Sequence, residues 1–361
     1  MLEFHAREEY FQLKQAARTS RGELPGRAIW LLEVRDREQS AAVGRGEAGP
    51  VPRLSPDAGE DFPARVAGVL KRLNGAGLQL ETGCEPLEMV TRLLRPYQAE
   101  LAELPALVFA LETALLDLAH GGRGIVFPSA WTEGRTLLPT HGLIWMDSAQ
   151  GLVAQVRAKV AAGFDVIKMK IGALPLEEEL AVLRTVRGEF PHVTIRLDAN
   201  GAFTSPQLPP LFAQLAPLGI ELLEQPLHAS AREEIARLRD LDHLPLALDE
   251  SLIGCTTRAE REDIVEQLRP EHLILKPALL GGFVAGAEWI EVAQKWGVQW
   301  WANSLLETAI GHSAICQWAA AVGGGRVHGL GTGGLFSDNL PSPIRLEGPA
   351  LRWVGFAEER R

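Results

Sequence analysis

A chain of 361 residues has room for one large α/β barrel, commonly about 250 residues, with a smaller domain beside it. Hydrophobic residues at 46% and charged residues at 23% exclude a disordered or fibrous chain, and a net charge of −10 offers no basic field to a nucleic acid backbone or an anionic lipid surface. The opening Met1-Leu2-Glu3-Phe4-His5 lacks the basic-then-apolar layout of a signal peptide, and Glu112 and Asp117 interrupt the most apolar stretch, Leu104 to Leu118. The expectation is therefore a cytoplasmic protein with neither nucleic acid nor membrane as a partner.

From Tyr10 to Glu47 the pattern is strand-like, with Ala28-Ile29-Trp30-Leu31-Leu32-Glu33-Val34 as its clearest run. Helical periodicity predicts helices over Phe62 to Leu73, Pro86 to Leu94 and Leu104 to His120, so the first hundred residues read as an α+β domain. Cys84, Cys255 and Cys316 are widely spaced, without a CxxC pair, and read as inert packing residues.

From Gly142 onward a unit repeats, each time a short apolar run, a polar residue and a helical stretch. The predicted strands are Leu143 to Trp145, Val166 to Lys170, Val193 to Asp198, Leu222 to Glu224, Leu246 to Asp249, Leu273 to Lys276, Val298 to Trp301 and Arg326-Val327. The polar residues Lys170, Asp198, Glu224, Asp249 and Lys276 follow one another at 28, 26, 25 and 27 residues, the period of one strand plus one crossover helix. Eight such strands close a parallel barrel whose active site lies at their C-terminal ends, where these five residues fall.

Side chains alternate along a strand, so Lys168 and Lys170 share the inward face, as do Arg196 and Asp198. Neighbouring strands lie about 4.8 Å apart, which lets Asp198, Glu224 and Asp249 converge on one point. Three hard oxygen donors without histidine or cysteine favour Mg2+, with Mn2+ as a substitute, over zinc. Lys170 and Lys276 stand four strands apart in a ring of eight and should face one another across a bound molecule. Lysine serves as a base only when its pKa falls, and Lys168, two residues before Lys170, is placed to lower it. A single carboxylate at a strand end is usually a cap or an ion-pair partner; it is the joint pattern that points to proton abstraction beside a metal-bound carboxylate.

The stretches Ile167-Lys168-Met169-Lys170-Ile171-Gly172, Leu197-Asp198-Ala199-Asn200, Glu224-Gln225-Pro226, Leu248-Asp249-Glu250-Ser251 and Leu275-Lys276-Pro277 resemble the enolase superfamily in its muconate lactonizing subgroup, over nearly the whole chain. The resemblance implies a modified (β/α)7β-type TIM barrel with an α+β N-terminal capping domain, the cap formed by residues 1–104 with 336–361 and the barrel by 105–335. It also implies Asp198, Glu224 and Asp249 as metal ligands, Asn200 and Glu250 as their supports, and Lys170, Lys276 and Lys168 as the catalytic lysines.

Three further segments, Thr19-Ser20-Arg21-Gly22, Ser304 to Gly311 and His328 to Gly333 with Phe336 and Asp338, resemble the branch of that subgroup that dehydrates 2-succinyl-6-hydroxy-2,4-cyclohexadiene-1-carboxylate to o-succinylbenzoate. Gly44 to Ser55 resembles the family's second cap loop. The implied partner is a small-molecule carboxylate, met by Thr19, Arg21, Ser304, Leu305 and the backbone amides of Gly329 and Gly331, although plain turn formation also accounts for the glycines. The glycine run is no dinucleotide loop, because the GxGxxG spacing is incomplete and a proline-rich tail follows it instead of a helix.

The rival readings are a racemase of N-succinyl amino acids or another cycloisomerase, which use the same metal and lysines, and a barrel that binds without catalysis. Dipeptide epimerases usually carry Asp-x-Asp at the eighth strand, where this chain has Gly329-Leu330-Gly331. No histidine is assigned to the metal, His312 and His328 included. Trp296, Trp300 and Trp301 read as core.

Overall fold

The computed structural model describes residues 1–19, 22–38, 42–81, 83–241 and 244–356. Its N-terminal part is an antiparallel sheet of β1 (Leu2–Thr19), β2 (Gly22–Asp36) and β3 (Val43–Ala48). Pairing in the long hairpin runs from Leu2 opposite Asp36 to Thr19 opposite Gly22, with an irregularity between Gln12 and Ala17. Strand structure thus starts eight residues before the run expected from Tyr10. The mixed Glu3-Phe4-His5-Ala6-Arg7 segment hides the alternation, because only Phe4 of it is buried.

Helices at Phe62–Gly75, Pro86–Leu94 and Pro105–Ala119 follow, close to their predicted spans. The third packs on β3, and two glycines make the approach possible. A Cβ on Gly44 would lie 2.0 Å from the Ala114 carbonyl oxygen, and one on Gly46 would lie 2.1 Å from that of Ala110. Positions two apart on a strand thereby meet positions four apart on a helix.

After the short β4 (Leu138–Pro139), seven parallel strands form one curled sheet in chain order. They are β5 (Gly142–Ile144), β6 (Val166–Lys170), β7 (Thr194–Asp198), β8 (Ile220–Glu224), β9 (Leu246–Leu248), β10 (His272–Leu275) and β11 (Gln299–Ala302). Crossover helices cover the outside, and Leu222, Ala247, Ile274 and Trp301 fill the inside as a separate small core. Each strand is too apolar to stand alone and is buried on both faces, as parallel sheets are.

The predicted eighth strand at Arg326-Val327 is corrected. The ring closes two residues later and only through single bridges, Thr140 with His328 and Asn303 with Gly329. His141 donates its amide to the His328 carbonyl and Gly329 donates to that of Ala302, which ties the segment to both edges of the sheet. Three nearby glycines, Gly323, Gly324 and Gly325, keep the preceding chain from extending into a longer strand. The last strands, β12 (Ile344–Glu347) and β13 (Ala350–Trp353), form a hairpin that pairs with β4, while Leu13 bridges Phe336. Among the described residues, no helix is long and apolar enough to cross a membrane.

Trp300 and Trp301 are buried as expected, whereas Trp296 is exposed near the C-terminal end of helix Gly282–Trp296. Cys255 and Cys316 are buried and Cys84 half-buried, all three as free thiols.

Candidate active site

The strand register decides which side chains meet. Lys170 pairs with Asp198 and Asp198 with Glu224 across adjacent strands, so the ends of β6, β7 and β8 present an amine and two carboxylates side by side. Asp249 follows β9 directly, and Lys276 follows β10. Asp198, Glu224 and Asp249 are all buried, and so is Lys168.

The Lys168 ammonium donates to Glu224 Oε1 at 2.7 Å and stands 2.9 Å from Asp198 Oδ2. Lys170 donates to Asp198 Oδ2 at 2.6 Å and to Asn200 Oδ1, and Lys276 donates to Asp249 Oδ2. Asn200 in turn donates to Glu250 Oε1 at 2.9 Å. All the strand-end residues singled out in the sequence therefore gather at one rim, Lys276 with Asp249 as one bonded pair and the others in a second group.

Lys168 has a role the sequence did not show, as a bridge between two carboxylates: burial pushes its pKa down, but Asp198 and Glu224 outweigh burial, the net direction is up, and its retained charge acts to lower Lys276. Lys276 moves the same way, with burial opposed and overcome by Asp249 and Glu250. The expected convergence of the three carboxylates is incomplete. Among the described residues, no group of three Asp, Glu, His or Cys side chains is drawn together as a metal cage, and Lys168 stands between Asp198 and Glu224.

The electrostatics nevertheless fit a cation. Burial would raise the Asp198 carboxyl, yet Lys168 and Lys170 hold it well below the usual carboxylate range. Glu224 goes the other way, pushed up to about 8 by burial and by the charge of Asp198. Its Oε2 is buried and has no hydrogen-bond partner, a costly state for a carboxylate. Asp249 is raised too, mainly by burial. An oxygen-only donor set with an unpartnered buried oxygen suits a hard divalent ion.

Above these residues lies a cavity of about 320 Å³, in the size range of small-molecule sites. Lys170 and Lys276 both line it, from strands with three others between them. Ser304, Leu305, Gly329 and Gly331 line it as expected, but the Ser304 hydroxyl is bonded to that of Thr332. The Gly329 amide is already donated to Ala302 in closing the ring, so it is not free for an anion as anticipated. Arg21 lies outside the described residues, as does the side chain of Thr19; Leu24 of β2 lines the cavity. Val51 to Leu54 line it from the segment likened to a second cap loop.

Sequence reasoning missed three residues. His141 lines the cavity with Nδ1 unpartnered, and burial, reinforced by Lys168 and Arg196, pushes its pKa well down, so the ring is neutral. Asn303 lines it too, its Oδ1 accepting from the Trp301 indole at 3.1 Å. Neither belongs to a recognisable spacing, and only the closure of the ring brings them together. Gln225, at φ 39°, accepts from the Asp249 and Ser251 amides and donates to Ser251 Oγ, fixing the turn that carries Asp249. The motif Glu224-Gln225-Pro226 contained that signal.

A cap over a parallel barrel, with three carboxylates on consecutive strand ends flanked by lysines, defines the class, and the sequence profile agrees: residues 151–350 match the family described as enolase C-terminal domain-like. The o-succinylbenzoate synthase of Desulfotalea psychrophila is 36% identical over 354 residues, covering 94% of this chain and 95% of that protein. The crystal structure of MenC from Desulfotalea psychrophila LSv54 superposes with a TM-score of 0.83 at 34% identity, covering 97% and 99% of the two chains. L-Ala-D/L-Glu epimerase of Bacillus subtilis is more distant, 27% identical over 80% of this chain and 76% of that one. The chain belongs to the enolase superfamily and, within it, to the o-succinylbenzoate synthase family; it is an enzyme.

Proposed function

We propose that this enzyme is an o-succinylbenzoate synthase, a carbon-oxygen lyase that dehydrates 2-succinyl-6-hydroxy-2,4-cyclohexadiene-1-carboxylate in the route to menaquinone or phylloquinone. The observation that carries the reading is the placement of Lys170 and Lys276 in one cavity, from strands four apart, each bonded to a different carboxylate. Asp198, Glu224 and Asp249 would hold Mg2+, with Mn2+ able to replace it. When bound, the ion supplies positive charge for the second negative charge that develops on the substrate carboxylate.

Lys170, as the neutral amine, takes the proton from the carbon beside the carboxylate. The resulting ammonium returns that proton to the hydroxide leaving from the adjacent ring carbon, so one water departs and the ring becomes aromatic. Lys276 stays protonated, and its cation faces the π-system from the other side. Asn200 and Glu250 hold the two ends of this arrangement in register through their mutual hydrogen bond. We further propose that residues 1–104 with 336–361 act as the cap and 105–335 as the barrel; the Leu13–Phe336 bridge and the Gln12 amide on Asp338 support this at the start of the C-terminal segment, while the hairpin of β12 and β13 pairs with β4 on the barrel side.

The test is ultraviolet detection of aromatic product from the purified precursor with magnesium, run beside loss of optical activity from N-succinylphenylglycine. Fast dehydration with slow racemisation is expected. Fast racemisation with slow dehydration would replace this reading by a racemase, and neither activity would leave a binding barrel.

A further inference from the structure

Resting on that reading of the cavity as the substrate site, we infer that Arg27 is a positioning residue that sets the spacing of the two loops enclosing the substrate, and thereby its selectivity. Arg27 belongs to β2 in the cap and is buried, yet among the described residues it forms no ion pair within reach. Its guanidinium instead takes backbone carbonyls from two directions. One terminal nitrogen donates to Leu305 and Leu306, in the loop after β11, and the other donates to Gly49, where the chain leaves β3 toward Val51 to Leu54. Both loops line the cavity, one from the barrel and one from the cap.

Arginine suits this task because its planar fork presents donors in fixed directions and it stays protonated when buried. Burial lowers its pKa, and the nearby charges of Glu307 and Glu47 oppose that drop. The two glutamates complete the same seam through backbone amides and the Thr308 hydroxyl, which donates to Glu47. Glu307 accepts the Leu305 amide at 2.8 Å, and Glu47 accepts the amides of Thr308 at 2.8 Å and Gly311 at 2.9 Å. Leu306 lies between them at φ 61°, a conformation that a free loop would rarely keep with a leucine. One cap side chain and two carboxylates thus specify the path of a barrel loop whose side chains meet the substrate.

The consequence is a split in kinetic parameters that a merely structural residue would not give. Arg27→Met keeps the side-chain bulk and removes every donor, so KM for the cyclohexadiene substrate should rise about tenfold or more while kcat changes much less. The preference for that substrate over N-succinylphenylglycine should narrow as well. Gly49→Ala is the milder second variant: its Cβ would lie 2.5 Å from Ile29 Cδ1, the far end of a flexible side chain, and 2.8 Å from Arg27 Nη2, pushing the fork from its carbonyl; the same shift is expected, smaller in size.

A drop in melting temperature with KM and substrate preference unchanged would overturn the inference. Should Arg27→Met fail to fold, unchanged KM in both Gly49→Ala and Arg27→Lys would do the same. The wild type is assayed first on both substrates. If it dehydrates nothing, the proposed function fails, while the KM comparison on N-succinylphenylglycine still tests the loop-spacing role.

Discussion

The protein buries charge in two regions, and they are built differently. At the cap–barrel seam, Arg27, Glu47 and Glu307 spend all but one of their hydrogen bonds on backbone groups: three carbonyls, and the amides of Leu305, Thr308 and Gly311, with the Thr308 hydroxyl on Glu47 as the exception. At the strand ends, Lys168, Lys170 and Lys276 face Asp198, Glu224 and Asp249 side chain to side chain, with Glu224 Oε2 left over. Charge that grips backbone holds a shape, whereas charge that faces other charge, with an oxygen to spare and a cavity above it, is available for chemistry.

The largest effect that could break this contrast is removal of an amine. Lys170→Ala and Lys276→Ala should each lower dehydration by about 10³-fold or more, with circular dichroism unchanged. Retained turnover in either variant would mean that the strand-end amines are structural after all. Chelation of divalent ions should stop turnover to a similar extent, with recovery on adding Mg2+, followed in the same ultraviolet assay; full activity in excess chelator would count against the carboxylates as ligands.

Next in size is a stability effect of opposite sign. Glu224→Gln replaces a buried, unpartnered carboxylate oxygen by an amide, so the metal-free protein should gain about 1–3 kcal/mol in chemical denaturation while activity is lost. A loss of stability would place Glu224 among the architectural charges.

The smallest effect concerns Glu112, an architectural acid that accepts the amides of Phe283 and Val284 at the start of helix Gly282–Trp296. Burial pushes its pKa up to about 8 from 4.5. A carboxyl with a raised folded pKa stabilises fully below the unfolded value, and that contribution falls as pH rises from about 4.5 to 8. Glu112→Gln keeps the acceptor oxygen and should flatten this dependence, so its melting temperature relative to wild type should be higher at pH 8 than at pH 5. A constant difference across that range would contradict the assignment.

The barrel was largely readable from sequence because five of its strands run into a polar residue at a nearly fixed interval, and the structure brings those five residues to one rim. What escaped prediction depends on contacts between distant segments. His141, Asn303 and Gly329 come together only through the bridges at Thr140–His328 and Asn303–Gly329, which no local pattern announces. The Lys168 bridge was missed for a related reason: alternation tells which face a lysine takes, but not which of two carboxylates on β7 and β8 it reaches. Strand β1 was placed late because its outward residues are charged and its buried ones few before Tyr10.

On the proposed mechanism, Asp198, Glu224 and Asp249 together hold one divalent ion beside the substrate cavity. The decisive experiment is titration calorimetry with Mn2+ on the wild type and on Asp249→Asn. One ion should bind per wild-type chain and that binding should be lost in the variant, with the melting curve preserved. Equal affinity in both proteins would contradict it.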